Sequence, residues 1–192
     1  MVARVLLIGV LFVAATGVVD AVAFDRTGLL SAIDACLAVN PTGVECCSAG
    51  ADCGVAGTLE MPDWNVSGIT NMADLFKNGR QLNDGSSGTL NSTQFNANIS
   101  RWDTSSVTDM KYMFDGASAF NADISGWDTS LVTDSVNMFQ GATAWLATYG
   151  RKDGTASNDG PPTAWHIPPC TCCQEKMMSM GFSTGRQCIP QP

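Results

Sequence analysis

The sequence predicts an α/β repeat protein: a short solenoid of about three rungs with a helical N-terminal cap and a Cys-rich C-terminal tail. Three observations carry this. Phe95 to Ala144 reads as two lines of 25 residues, FNANISRWDTSSVTDMKYMFDGASA and FNADISGWDTSLVTDSVNMFQGATA, identical at seventeen positions. A degraded third copy lies upstream, where WNVSGITNMADLF (64–76) matches WDTSSVTDMKYMF, and the next copy stops at Trp145. Four cysteines precede the repeats (Cys36, Cys46, Cys47, Cys53), four follow (Cys170, Cys172, Cys173, Cys188), and none lies within.

In chain order, residues 1–23 have the pattern of a secretory signal: Arg4, an apolar run from Val5 to Val19, then Ala21-Val22-Ala23 as a small-x-small cleavage site. The run is short for a spanning helix, so an uncleaved anchor is the alternative. Residues 24–57 form a cap. Leu29, Leu30, Ile33, Cys36 and Leu37 fall on one helical face, Asp25 or Thr27 can cap its start, and Pro41 with Gly43 ends it. Residues 58–149 are the repeats, interrupted by a loop at 77–94 rich in Gly, Ser and Asn; the Trp64 to Trp102 spacing is 38, not 25. Residues 150–169 are a Pro- and Gly-rich linker that Trp145 and Trp165 can anchor, and 170–192 a disulfide-knotted tail.

Within one repeat, Phe95, Ala97 and Ile99 alternate with Asn96, Asn98 and Ser100, the pattern of a half-buried strand. Val107, Met110, Met113, Phe114 and Ala117 then follow helical spacing, with Ser106 or Thr108 as cap and Gly116 near the end. A constant period places Trp102 on Trp127, Phe95 on Phe120 and Phe114 on Phe139. Large side chains in such columns contribute about 1.5–3 kcal/mol each when buried, so the Met and Trp stripes read as core.

The 18 acids against 10 Lys and Arg give a net charge of −8, which argues against nucleic acid and anionic membrane as partners. An even cysteine count in an exported chain implies disulfides, paired within each cluster of four, with adjacent cysteines bridging to different partners. Asn65, Asn91 and Asn98 head glycosylation sequons.

Catalytic signatures are sparse. His166 is the lone histidine, and no nucleophile elbow, P-loop or dinucleotide fingerprint occurs. Asp103 with Asp128, and Asp109 with Asp134, recur with the repeat, which suits turn bonding better than general acid–base work. His166, Cys170, Cys172 and Cys173 with Met177, Met178 and Met180 resemble a soft-metal set, but export favours disulfides. No calcium loop is present, and two threonine pairs (Thr104/Thr129, Thr108/Thr133) are too few for an ice-binding plane. No catalytic residue, metal or cofactor is therefore expected, and the chain reads as not an enzyme.

The unit F-N-x-x-I-S-x-W-D-T-S-x-V-T-D…M-F-x-x-A resembles the BspA-like leucine-rich surface repeat. The resemblance implies a leucine-rich-repeat-like solenoid, a secreted or cell-surface location, and adhesion or protein binding. It also implies that the outward strand face, Asn96, Asn98, Ser100, Asn121, Asp123 and Ser125, is the binding surface. The expectation is a non-catalytic module binding an extracellular protein or glycan. The alternatives are a structural matrix or wall component, and a secreted hydrolase using paired aspartates.

Overall fold

The computed structural model describes residues 22–154 and 157–167. The expected leader, apart from Val22 and Ala23, and the expected Cys-rich tail lie outside the described residues, as do Pro168 and Pro169 of the linker. Helix α1 spans Arg26–Val39, and Asp25 caps it by accepting from the Gly28 N–H at 2.6 Å. Its inward face buries Leu29, Ala32, Ile33, Cys36 and Leu37. Helix α2 spans Thr143–Thr148. Strand β1 (Gly150–Arg151) pairs antiparallel with β2 (Trp165–His166). Short 3-10 turns occupy Gly54–Ala56, Met61–Asp63 and Pro162–Ala164.

Between α1 and α2 the chain turns back on itself, and the period shows in its hydrogen bonds. The N–H groups of Met72, Asp74, Phe76 and Asn78 donate to the carbonyls of Asp109, Lys111, Met113 and Asp115 at 2.8–3.0 Å. One coil later, Met110, Tyr112, Phe114 and Gly116 donate to Asp134, Val136, Met138 and Gln140 at 2.7–3.0 Å. Alternate N–H groups thus face the neighbouring coil, while Leu75, Lys77, Met113 and Asp115 close local turns on Met72, Asp74, Met110 and Tyr112.

These segments are not strands, because each carries a left-handed residue at the same register: Asp74 (φ 61°), Tyr112 (φ 54°) and Asn137 (φ 53°). Only the isolated parallel bridges Asn71–Asp109 and Asp109–Asp134 remain of sheet pairing between coils. Nor are they helices. The segment from Val107 to Ala117 is a run of turns, and Thr108, expected as a helix cap, instead donates its hydroxyl to the Thr70 carbonyl at 3.1 Å.

The expected strand at 95–100 also fails. Phe95, Ala97 and Ile99 are buried and Asn96, Asn98 and Ser100 exposed, but no strand forms. The Asn121 N–H is taken by the Asn96 side-chain carbonyl at 2.8 Å, so a carboxamide replaces the backbone ladder between coils. The α/β solenoid of leucine-rich-repeat-like rungs is therefore overturned. The described residues hold two short helices, one two-stranded sheet and stacked turns.

The core lies along the stack. Trp64, Trp102 and Trp127 form a column with centroids 6.5 and 6.4 Å apart. Phe76, Phe114 and Phe139 form a second, at 5.6 and 5.8 Å. Phe95, Phe120 and Trp145 form a third, both steps at 5.7 Å. The indole N–H groups of Trp102 and Trp127 donate to the Met61 and Ile99 carbonyls at 2.8 and 3.1 Å, which fixes ring height as well as burial. Gly116 (φ 74°) marks the closest approach of coils: a Cβ there would meet the Asn78 Cβ at 2.8 Å. Trp165 meets Phe139 and Trp145 edge-on, at 5.3 and 6.4 Å.

Candidate functional site

The N-terminal cap concentrates chemistry in a small volume. Helix α1 presents Cys36 on its buried face. Gly43, left-handed at φ 78°, lies against the Phe95 ring, where a Cβ would come within 3.0 Å. That turn brings Cys46 and Cys47 beneath the helix, and the chain from 48 to 53 returns Cys53 to the same place. Cys36 bonds to Cys46 and Cys47 to Cys53, with Cα–Cα distances of 5.1 and 5.8 Å. All four are buried.

The two disulfides lie side by side. The sulfurs of Cys46, Cys47 and Cys53 are all within 4.8 Å of one another, and Cys46 Sγ is 4.0 Å from Cys47 Sγ. A tetrahedral metal with bonds of about 2.3 Å to sulfur sets its ligand sulfurs ~3.8 Å apart, close to that separation. The Gly43 carbonyl is 3.8 Å from Cys36 Sγ and 3.7 Å from Cys46 Sγ, an acceptor for their S–H groups when reduced.

Glu60 anchors the cysteine turn from outside. Its carboxylate accepts the Ser48 N–H at 2.9 Å and the Cys47 N–H at 3.4 Å. Burial pushes its pKa up, but the bonds from Ser48 and Cys47 outweigh this and hold it below the ordinary carboxylate value.

The outward residues expected to bind occupy a different place. Asn96, Asn98, Ser100 and Asp123, with Ala122, line an open hollow of about 380 Å³. Asn121 does not line it; its Oδ1 is buried without a hydrogen-bond partner. Ser125 is bound locally, its N–H on Asp123 at 3.0 Å. The hollow is a recess over two coils and not the sheet face of a leucine-rich repeat, so the adhesion face implied by that architecture is not present among the described residues.

The repeated aspartates close turns. Asp103 accepts from the Ser105 hydroxyl at 2.7 Å and N–H at 3.1 Å, and Asp128 from the Ser130 N–H at 2.9 Å. The Ser105 hydroxyl, then its N–H, lowers the Asp103 pKa; the Ser130 N–H leads for Asp128 and the Ser125 N–H for Asp123. With these carboxylates engaged in turn closure, the paired-aspartate hydrolase draws no support from them. Asp109 accepts from Asn71 Nδ2 at 3.2 Å and the Lys111 N–H at 3.0 Å, and Asp134 from the Val136 N–H at 3.0 Å.

Of the sequon residues, Asn91 and Asn98 are exposed and Asn65 half-buried. The Asn65 and Asn91 carboxamides accept the hydroxyls of Ser67 and Thr93 at 2.8 and 2.7 Å. His166 is in β2, while Cys170, Cys172, Cys173 and Cys188 lie outside the described residues.

A family described as "Mycoplasma protein of unknown function, DUF285" matches residues 57–155, just over half of the chain. The chain belongs to the DUF285 family. No curated protein and no solved structure matches it. Membership corrects the BspA-like resemblance: the repeat that suggested a leucine-rich surface protein is the DUF285 unit, and this family brings no known activity. The leucine-rich-repeat, solenoid and surface-adhesion descriptors lose their support with it, as does a wall or matrix role inferred from such an architecture.

The reading of the chain as not an enzyme is corrected by the cysteine group. Three buried sulfurs lie within mutual reach, a grouping that can hold a metal once its disulfides are reduced, so a flat reading of no chemistry does not stand. That group lies outside the matched residues. The cysteine spacing was visible in the sequence but read only as staples, since spacing does not say that two bridges touch. Among the described residues no helix is long and apolar enough to cross a membrane.

Proposed function

We propose that the N-terminal cap is a redox-gated thiolate centre. Oxidised, the Cys36–Cys46 disulfide locks α1 to the cysteine turn and Cys47–Cys53 closes the turn on itself. Reduced, Cys46, Cys47 and Cys53 take a thiophilic divalent metal, with Cys36 as a fourth sulfur from α1. The observation that carries this is the convergence of sulfurs from two different disulfides within 4.8 Å.

The reductant in this reading is a dithiol on an extracellular protein. One partner thiolate attacks the buried Cys47 sulfur once local opening of the turn admits it, and the Cys47–Cys53 bond breaks with its electron pair on Cys53. The partner's second thiol resolves the mixed disulfide, leaving the partner oxidised and the cap with two added electrons and two protons. A second dithiol equivalent does the same for Cys36–Cys46. The metal then displaces thiol protons as it binds, so uptake strengthens as pH rises. A secreted or cell-surface setting belongs to the proposal. It is supported by the leader-like residues 1–23 and by the disulfides themselves, which persist in oxidising compartments.

Anaerobic titration of the reduced full chain with cobalt(II), followed by thiolate charge-transfer absorption, tests the proposal. A variant with serine at 170, 172, 173 and 188 is expected to bind one equivalent. A variant with serine at 46, 47 and 53 is expected to lose that equivalent. Absorption that follows the C-terminal cysteines, or none, would refute it.

A further inference from the structure

A second site is built where the repeat is interrupted. The loop at 77–94 folds back as a hairpin-like excursion: Gly79 donates to Leu90 at 2.8 Å, Leu82 to Gly88 at 3.1 Å, and Leu90 to Arg80 at 2.8 Å. It docks on α1 through one buried carboxylate. Asp34 accepts from Arg80 Nη2 at 2.6 Å and from the Asn83 N–H at 2.7 Å. The Asn83 amide also donates to the Thr27 carbonyl and the Ser31 hydroxyl at 3.0 and 2.8 Å. Between loop, helix and first coil lies a hollow of about 440 Å³, lined by Arg26, Lys77 and Arg80 with Asp74, Leu30 and Asn83.

Three of the chain's 10 cationic side chains meet in this one hollow, on a protein of net charge −8. Two of the three are held in place by the fold. Arg26 donates from Nη2 to the Ala73 carbonyl at 2.6 Å and from Nε to Asn71 at 3.2 Å, leaving Nη1 with no partner among the described residues. Arg80 donates from Nε to the Leu75 carbonyl at 3.1 Å, from Nη1 to Gln81 at 3.2 Å and from Nη2 to Asp34, with two hydrogens left over. Lys77 lies 4.2 Å over the Tyr112 ring and ion-pairs with Asp74 and Asp115 at 3.5 and 3.7 Å, contacts open enough to leave its ammonium a further donor.

From this geometry we infer that the hollow is a binding site for the oxyanion of a small acidic ligand, a carboxylate, sulfate or phosphate. Its volume is that of a small-molecule site. Fixed guanidinium donors suit an oxyanion because their positions are set before it arrives. The protein's overall negative charge does not overrule them. At physiological salt the screening length is about 8 Å, so groups lining the hollow outweigh acids on other faces. Asp74 is the one carboxylate in the lining; beside it Asp34 pairs with Arg80 and Asp115 with Lys77, so the Arg26 guanidinium is the charge that no carboxylate offsets among the described residues. The inference does not depend on the cysteine centre.

The test is NMR titration of the oxidised full chain with inorganic sulfate, inorganic phosphate and glucuronate, at ionic strength held constant with chloride. The Gly79, Gln81 and Asn83 amides are expected to shift saturably with at least one of the three, and which one distinguishes the oxyanion. Lys77→Gln and Arg26→Gln should each weaken binding about tenfold or more, the size of a lost charge-assisted bond. Lys77→Arg should retain it, and so should Arg101→Gln, whose side chain pairs with Asp63 outside the hollow. Lys77→Gln removes no hydrogen bond that docks the loop, so its reading stands even if Arg26→Gln unfolds. Linear shifts with all three anions, or equal binding by Lys77→Gln, would overturn the inference.

Discussion

The stacked coils and the N-terminal cap sit against each other but are held by different physics. In the coils, aromatic columns and alternate N–H groups bind each turn of chain to the next. In the cap, one disulfide joins the helix to a tight turn and a second closes that turn. Coils and cap share one core and a broad contact: the Asn96 N–H on the Thr42 carbonyl at 3.0 Å, Gly43 against Phe95, the Phe24 ring 5.2 Å from Trp64, and the polar bonds of Arg26 and Asp34 to Ala73 and Arg80. The DUF285 match covers the coils and stops short of the cysteines. The difference teaches that architecture and candidate chemistry reside in separate parts of this chain.

The largest expected effect separates the two regions by deleting a coil column. Phe114 is fully buried and stacks on Phe76, Phe120 and Phe139. Phe114→Ala should cost about 3–5 kcal/mol, a large part of the ~5–15 kcal/mol a domain has, and denaturant unfolding measures it. A loss under about 1 kcal/mol would mean the columns carry little.

Removing a cap disulfide should cost less. Cys36–Cys46 and Cys47–Cys53 close separations of 10 and 6 residues. Such short loops restrict the unfolded chain by about 2–3 kcal/mol each. The paired substitution Cys36→Ser with Cys46→Ser should lower the unfolding midpoint by that much while the near-ultraviolet circular dichroism of the coil tryptophans persists.

Gly116→Ala should cost about 1–3 kcal/mol, from a left-handed φ and the approach of Asn78. Gly126→Ala is its control: a Cβ there meets nothing within 4 Å, and thermal unfolding should be nearly unchanged.

The smallest effect is in the turn carboxylates. Asp103, Asp123 and Asp128 have pKa values lowered by their serine partners. Their ionised forms therefore stabilise the fold above the ordinary carboxyl range, about pH 4, and that contribution is lost as pH falls through the lowered values. Ser105→Ala should raise the Asp103 pKa in an NMR titration and leave Asp128 unmoved.

Much of the coil region was legible because identical residues 25 apart must meet when a chain winds evenly. Trp102 over Trp127, and Trp145 in the place of the next Phe, follow from the period alone. The backbone between them was not legible. A spacing of Val107, Met110, Met113 and Phe114 suits a helix and a run of turns alike, and only φ at Tyr112 decides between them. The alternation Phe95-Asn96-Ala97 showed which side chains turn inward, but not that the Asn96 carboxamide would take the N–H a strand needs. In the cap, α1 and its Asp25 start were readable from apolar spacing. The convergence of two disulfides was not, because it depends on how Gly43 turns under the helix. The Arg26–Lys77–Arg80 hollow was hidden for the same reason: its residues come from segments that the bonds of Asp34, Arg26 and Asn83 bring together.

Hydrogen exchange of the full chain in three states, oxidised, reduced, and reduced with zinc, tests most directly whether the cap changes state independently of the coils. The account predicts that reduction opens the Leu37 and Asn40 amides of α1, that zinc restores their protection, and that Met110 and Phe114 stay protected throughout. Loss of protection at Met110 and Phe114 together with Asn40, or an α1 that zinc leaves open, would contradict it.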